Sequence, residues 1–399
     1  MPRASPILSR LTNRRLPDAP PSRLLGPVGE IRSVAPDSFF ERVLDASRSH
    51  GVTRLADVTG LDRLGLPVWQ AVRPAGKSLS VHQGKGASPL AARIGALCEA
   101  LEAHCAENVA ADGPLCSFAD LAPSERAPEI GDYGRTREVP PDGTKAIQWC
   151  RAADLATGKP LYLPHELVSL DYTKGLPSVF ERASSGLGAG PSEGDALQTS
   201  LLEVLERDAI GEWQRLDPAR RVATLLDPDT VPFEWFQAWR DRFASLDIGL
   251  RVFRVVSIVD VPVFMCVIGG VEEFGLAYRR FSGTSAHGNP EIALFKALAE
   301  AIQSRLTLIA GVRDDILPSY YLRPRPMPAS QGSASAGRQA WGRDGPMACR
   351  PGGIAELLAA RGYRQIAVKR LGEGLEGVAV TKVFVPGLGS SRRTRRVPT

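Results

Sequence analysis

Hydrophobic residues recur at helical spacing in three central stretches of the chain, roughly Pro89 to Asn108, Ser192 to Leu216 and Pro290 to Ala310. A fourth helix is predicted earlier, over "SFFERVLDASRSHG", closing at Gly51 as a C-cap. Strand patterns lie between them. "TRLADVT" and "GLPVWQAVRP" come first, the second alternating around Leu66, Val68, Gln70 and Val72. "KPLYLP" sits in a turn-rich region over 110–185, and "LRVFRVVSI" and "VPVFMCVIGG" read as neighbouring strands. A short helix, "GIAELLAARGY", and a strand, "VAVTKVFVP", close the pattern. Helices and strands mix without strict βαβ alternation, which predicts an α+β fold rather than a doubly wound sheet.

The same patterning sets the boundaries. Residues 1–35 are Arg- and Pro-rich and predict a flexible leader, and 36–322 form the main folded body. A Pro-, Gly- and Ser-rich stretch at 323–352 predicts a linker or long loop. Residues 353–390 supply the helix and strand that complete the body, and 391–399 form a basic tail.

The three central helices open alike: "GKGASP", "GLGAGPS" and "AHGNP" each read as a Gly-bearing turn, a cap and a nearby proline. Ser88–Pro89 and Asn289–Pro290 fit an N-cap followed by proline at the first helical position. Ser192 with Asp195 fits a capping box with Asp in place of Glu. Each helix then carries polar residues three apart: Glu99 and Glu102, Glu203 and Glu206, Glu300 and Gln303. Residues at that spacing share a face, where like charges repel by roughly 0.2–0.5 kcal/mol. The plain alternative for any one pair is a hydrated surface. If the helices converge, four carboxylates meet, and they need a counter-cation to stay ionised together. Mg²⁺ takes oxygen ligands and shares them with phosphates. Arg207, Arg305 and Lys85 are placed to meet phosphate oxygens. The chain has no G-x-x-x-x-G-K-[ST] and no G-x-G-x-x-G after a strand, so a nucleotide site would be built from helix carboxylates rather than a phosphate loop.

Composition adds exclusions. A net charge of +5 over 399 residues does not indicate nucleic acid. The six cysteines are scattered with no C-x-x-C, against a zinc site or a disulfide framework; Cys98 and Cys105 share a helix face and suit packing. No apolar run reaches the length of a membrane span, and the expectation is a cytoplasmic protein.

At these residues the chain resembles the YcaO family of ATP-using peptide-backbone modifying enzymes, from about residue 30 to residue 390. "SVHQGKGASPLAARIGALCEALEAH" resembles the family's first carboxylate helix, and "SSGLGAGPSEGDALQTSLLEVLERDAIGEW" its E-x-x-E-R-D helix. "HGNPEIALFKALAEAIQSRLTLIAGVRDD", "DVTGLDRLGLPVWQAVRP" and the closing "VFVPGL" resemble the subgroup that works with TfuA-type partners in thioamide formation. The resemblance implies mixed sheets and helices around a Mg–ATP site. Glu99, Glu102, Glu203 and Glu206 would hold Mg²⁺ on the ATP phosphates, with Glu203, Glu206 and Arg207 nearest the chemistry. Arg207, Glu300 and Gln303 would contact nucleotide, and Arg23 or Arg32 would reach in from the leader; Lys85, Asp195 and Arg305 are the further nucleotide-binding candidates that the residue pattern itself offers. The implied partners are a TfuA-like protein, a peptide or protein substrate and a sulfur donor, with homodimer formation left open. Departures from the family pattern are Gly95 for Ser, Ala103 for Arg, Pro191 for Asn, Asp195 for Glu and Gly389 for Glu. An azoline-forming cyclodehydratase and a non-catalytic scaffold that binds peptide stay open beside thioamide formation. His82 and His287 divide evenly between structural and site roles, and His104 packs or is exposed.

Overall fold

The computed structural model describes residues 33–134, 141–174, 179–270, 279–322, 338–342, 347 and 350–389. The expectations for Arg23, Arg32, the basic tail and Cys349 lie outside these residues. The fold is α+β, with three sheets whose strand pairings are all antiparallel among the described residues.

Helix α1 (Pro36–Ser49) precedes a three-stranded sheet, β1 (Arg54–Asp57), β2 (Val68–Val72) and β3 (Val81–Lys85), in that order. Helix α2 (Pro89–Glu107) follows at once. The next region builds most of a six-stranded sheet from β4 (Leu115–Cys116), β5 (Ile147–Asp154) and β6 (Pro160–Pro164), then α3 (His165–Val168) and β7 (Leu187–Gly190). Helix α4 (Glu193–Arg215) leaves β7, and α5 (Pro218–Ala223) and α6 (Glu234–Ser245) lead to the third sheet. That sheet is β8 (Ile248–Val255), β9 (Val263–Gly270) and β10 (Arg280–Ala286), with β9 central. Helix α7 (Pro290–Ala310) follows, then α8 (Ser319–Leu322), α9 (Pro351–Ala360), β11 (Ala367–Arg370) and β12 (Ala379–Phe384). The last two strands insert between β5 and β7, so the C-terminal segment completes the large sheet.

One design repeats three times. The end strands β3, β7 and β10 of the three sheets each run through a short capped turn into a helix, α2, α4 and α7, that packs back on its own strand. Each helix also packs on the strand of another unit: α2 on β7, α4 on β10 and α7 on β3. The contacts close a ring. The approach is close because the strands carry glycine where the helix sits. A Cβ at Gly84 would lie 2.0 Å from the Ala92 carbonyl oxygen, and one at Gly283 would lie 2.3 Å from the Ala301 nitrogen. The stretches "GKGASP" and "GLGAGPS", expected as turns, are therefore partly strand: Lys85 ends β3, and Leu187–Gly190 is β7.

The caps form as expected at Ser88 and Asn289, whose side chains accept from Ala91 N and Glu291 N. At Ser192 the Oγ accepts the Asp195 N–H, but Asp195 takes the Ser192 hydroxyl at 2.6 Å instead of reaching back to the backbone, so the capping box is half made. The stretch expected as a loop over 323–352 is tied down where it is described. Gln339 bridges Leu226, Trp341 stacks on Phe264 with centroids 5.4 Å apart, and Met347 N donates to Gly288 O. Of the six cysteines the five described form no disulfide, and Cys98 and Cys105 both pack against the same apolar cluster.

Candidate functional site

At the centre of the ring lies a cavity of about 1280 Å³. Strand β3 brings Lys85, helix α2 brings Glu99 and Glu102, helix α4 brings Asp195, Glu203, Glu206 and Arg207, and helix α7 brings Glu300 and Gln303. The carboxylates of separate helices therefore face one space rather than bulk solvent. Arg305 does not join them. It is buried on the far side of α7, where its Nε meets Asp62 at 2.8 Å, and the expectation that it reaches phosphate is corrected.

The acids are held by their neighbours. The Gln83 N–H donates to Glu99 at 2.5 Å, and the Thr284 hydroxyl donates to Glu206 at 2.5 Å. Arg207 lies 3.4 Å from Glu203, and Lys85 lies 3.2 Å from Glu300. Burial raises the pKa of Glu99, outweighing the Gln83 N–H and the cation of Lys85. Burial likewise raises Glu203 to about 7, with Glu206 adding to it against Arg207. Glu206 is raised by burial and by Glu300, against Arg207 and Thr284. Burial opposes the charge on Arg207, yet Glu206 and Glu203 outweigh it and hold its pKa up. The side chains of Glu203 and Arg207 keep 21% and 43% of their exposure because they open onto the cavity while protein surrounds them on the other sides.

This is a set of hard oxygen donors short of positive charge, and it fits Mg²⁺. Among the described residues, no three of His, Cys, Asp and Glu stand close enough to form a metal cage by themselves.

Sequence reasoning missed several lining residues. Arg313, just past the end of α7, lines the cavity, chelates Asp315 at 2.9 and 2.6 Å, and has its pKa raised against burial by Asp315 and Glu99. Lys296, Gln198, Thr199 and Thr284 line it as well. Lys296 was legible, four residues before Glu300 and so on its face of the helix. His82 and His287 both line the cavity, and His104 packs edge-on against His50 with centroids 4.7 Å apart.

Three of the departures have a structural account. Gly95 packs on Gly84: a Cβ there would lie 3.3 Å from the Gly84 Cα, so the two backbones would have to part by a few tenths of an ångström to admit a side chain. Gly389 donates its backbone N–H to Asp208 at 3.0 Å, so the backbone at this position is tied to α4 without a side chain. Asp195 accepts from Ser33, the first described residue, which brings the N-terminal segment to the start of α4.

The model of the YcaO family, described as a YcaO cyclodehydratase that binds ATP and Mg²⁺, matches residues 83–389. A Rhizobium leguminosarum bv. trifolii protein from the tfuA 3′ region is 33% identical over 373 residues, covering 90% of this chain and 88% of that protein. Among solved structures, YcaO from Methanopyrus kandleri bound with AMPPCP and Mg²⁺ has a TM-score of 0.67 at 21% identity, covering 92% of this chain and 97% of that one. A heterocyclase in complex with substrate and cofactor has a TM-score of 0.73 at 19% identity; the match covers 92% of this chain but 55% of that one.

Proposed function

The chain belongs to the YcaO family, whose members use ATP and Mg²⁺, and on that premise we propose that it modifies peptide backbone amides, forming thioamides with a TfuA-like partner. The observation that carries this reading is the ring of Glu99, Glu102, Glu203 and Glu206 around one cavity, with burial raising three of the four. When bound, Mg·ATP would supply its γ-phosphoryl group to the oxygen of the adduct that a nucleophile forms at the carbonyl carbon, and that oxygen would leave as inorganic phosphate. With sulfide as nucleophile the product is a thioamide.

The chain's own residues do the rest by position and charge. The four glutamates would hold Mg²⁺ ions on the ATP phosphates between them, Glu99 aligned by the Gln83 N–H and Glu206 by Thr284. Arg207 and Lys85 face the same space and would neutralise phosphate oxygens; Arg313, which lines the cavity where Arg305 does not, would be a third cation for them. Asp195, Glu300 and Gln303 line the remaining nucleotide surface. Thioamide formation with a TfuA-like partner draws its support from the tfuA-region relative.

A second reading, azoline formation from a substrate Cys, Ser or Thr, draws on the heterocyclase likeness and the family description. Mass spectrometry of a co-expressed precursor peptide separates them. Replacement of oxygen by sulfur supports the thioamide, and loss of water overturns it in favour of the azoline. An unmodified peptide together with no Mg·ATP-dependent thermal stabilisation leaves a non-catalytic scaffold.

A further inference from the structure

A pocket for one small ligand spans roughly 300–1,000 Å³, and this cavity, at about 1280 Å³, has room for a second. Its two ends differ. Where α4 and α7 begin, the lining is polar: Asp195, Gln198, Thr199, Asn289 and Lys296. Elsewhere Leu79, Ala103, Leu170 and Leu187 give it an apolar wall. The glycines of β7 place that wall relative to the acids. A Cβ at Gly190 would meet Asp195, and one at Gly186 would meet Val204. Strand β7 therefore runs antiparallel to α4, and Leu187 lies near the level of Glu203. Asp195 lies about 12 Å further up the helix, eight residues at 1.5 Å each. Leu170 packs in one apolar cluster with Leu187 and with Ala106, which is in the last turn of α2, past Glu102. The apolar wall thus stands beside the acids on the side away from Asp195.

Tyr172 stands at the edge of this wall, lining the cavity yet 48% exposed. Its position is fixed from several sides. The backbone N–H donates to Lys77 O at 3.2 Å, the hydroxyl donates to Arg182 O at 3.2 Å, and the Arg182 guanidinium lies 5.9 Å from the ring centre. The preceding residue, Asp171, is tied to Thr173 and Lys77. An aromatic ring held this way, with half its surface open, loses little entropy on meeting a ligand. We propose that the wall, with Tyr172 at its lip, binds an apolar side chain of the substrate peptide next to the reacting amide. The inference rests on the amide-modifying function above and adds the substrate class: peptides with a leucine- or phenylalanine-like residue beside the modified bond. The acids take the phosphates, and the polar end at Asp195 takes ribose and base. The peptide then meets the γ-phosphoryl group from the opposite end, where the apolar wall is. A side chain seated there leaves water against Leu79, Leu170, Leu187 and the Tyr172 ring, and that burial holds the neighbouring amide at the site of transfer.

The test uses three blocked dipeptides, N-acetyl-Leu-Gly, N-acetyl-Gly-Leu and N-acetyl-Gly-Gly N′-methylamides, on the full chain saturated with Mg·AMPPCP. Titration followed by saturation-transfer NMR should show the better leucine peptide binding roughly tenfold tighter than the diglycine. That preference should fall to about twofold or less in Tyr172→Ala, which removes the ring from the lip. It should survive in Tyr172→Phe, which keeps the ring and gives up only the bond to Arg182 O. Both variants should bind Mg·AMPPCP as the parent does, which also shows that they fold. A second reading needs no loss of the ring: with ¹³C-labelled tyrosine, an isotope-filtered nuclear Overhauser effect should join a tyrosine ring to the leucine methyls of the bound peptide and vanish in Tyr172→Phe. Leucine peptides that bind no better than diglycine, or do not bind at all, overturn the proposal. So does a leucine preference that Tyr172→Ala leaves intact. A loss of AMPPCP affinity in Tyr172→Ala assigns the wall to adenine and overturns it too. Failure of Mg·AMPPCP to bind the parent chain instead sinks the proposed function, a separate result.

Discussion

Helices α4 and α7 carry nearly the same text, "EVLER" from Glu203 and "EAIQSR" from Glu300, yet their arginines do opposite things. Arg207 opens onto the cavity, 3.4 Å from Glu203. Arg305 is buried behind α7 against Asp62, which is itself 3% exposed in its side chain. One residue of register separates them. At 3.6 residues per turn, Arg207 lies about 40° around the helix from Glu203, whereas Arg305 lies about 140° from Glu300. The first is a site residue and the second a structural one, although each follows a glutamate-bearing turn. Residue type and neighbourhood are weaker guides than the angle.

Removing the acids tests the functional side hardest. Glu203→Gln with Glu206→Gln should lower ATP-dependent turnover by roughly 10³-fold, the scale of lost charge neutralisation in phosphoryl transfer. It should leave the fold intact and raise the melting temperature of the nucleotide-free protein, because two buried acids no longer crowd each other. Loss of helicity by circular dichroism, in place of loss of turnover, would make α4 a structural helix like the back of α7.

The two arginines should separate cleanly. Arg305→Met leaves Asp62 as an unpaired buried charge and should cost about 3–5 kcal/mol in chemical denaturation while nucleotide affinity stays near the parent's. Arg207→Met should do the reverse, weakening Mg·nucleotide binding by roughly tenfold with stability changed by less than about 1 kcal/mol. If both variants lose stability alike, the register argument fails.

Much of this arrangement was legible in the sequence. Helices α2, α4 and α7 begin and end within a residue of expectation, because cap and proline signals coincide with the apolar stripes. The convergence of the glutamates was legible only as a condition, since no spacing along one helix reveals another. The strands β7 and β10 were not legible as strands. "LGAG" and "RFSGTSA" are rich in Gly and Ser, which strand patterns disfavour. These strands exist to let a helix backbone approach, so the side chains that would announce them are missing. Strand β5, "IQWCRAAD", is buried at Trp149 and Cys150 with Arg151 exposed next to them, and its mixed pattern hid it inside a turn-rich region. Arg305 was misplaced for the reason already given: its partner, Asp62, is 243 residues away.

The acids also tie stability to pH. Glu203 titrates near 7 in the folded chain and near its ordinary value of 4.5 when unfolded. The folded state therefore holds a proton that the unfolded state has lost between those values, and its contribution to stability declines as pH rises through that window. The loss is about 3 kcal/mol at most, with Glu99 and Glu206 shifting in the same direction. The nucleotide-free protein should thus melt lower at pH 7.5 than at pH 5, and Glu203→Gln should flatten the slope. Mg·nucleotide needs the ionised form, so its affinity should climb with pH up to about 7 and its binding should release protons, measurable by calorimetry in buffers of different ionisation enthalpy. A slope unchanged in the Gln variant would assign the pH effect elsewhere.

The smallest effect gives the sharpest form of the comparison, because it moves the register itself. Ser304 stands four residues after Glu300, the same offset as Arg207 from Glu203, and it already lines the cavity. Ser304→Arg should therefore place a guanidinium where Arg305 cannot reach. The cost is the hydrogen bond from Ser304 to the Ser282 carbonyl, about 1 kcal/mol. The return should be nucleotide affinity raised by a few-fold, the scale of one partly exposed charge contact, and diminished by salt. Isothermal titration with AMPPCP at two salt concentrations reads both. An affinity that stays level, with stability falling by several kcal/mol, would mean that the face of α7 at 304 cannot present a cation to bound phosphate, and the angular rule drawn from α4 would not carry over to its sister helix.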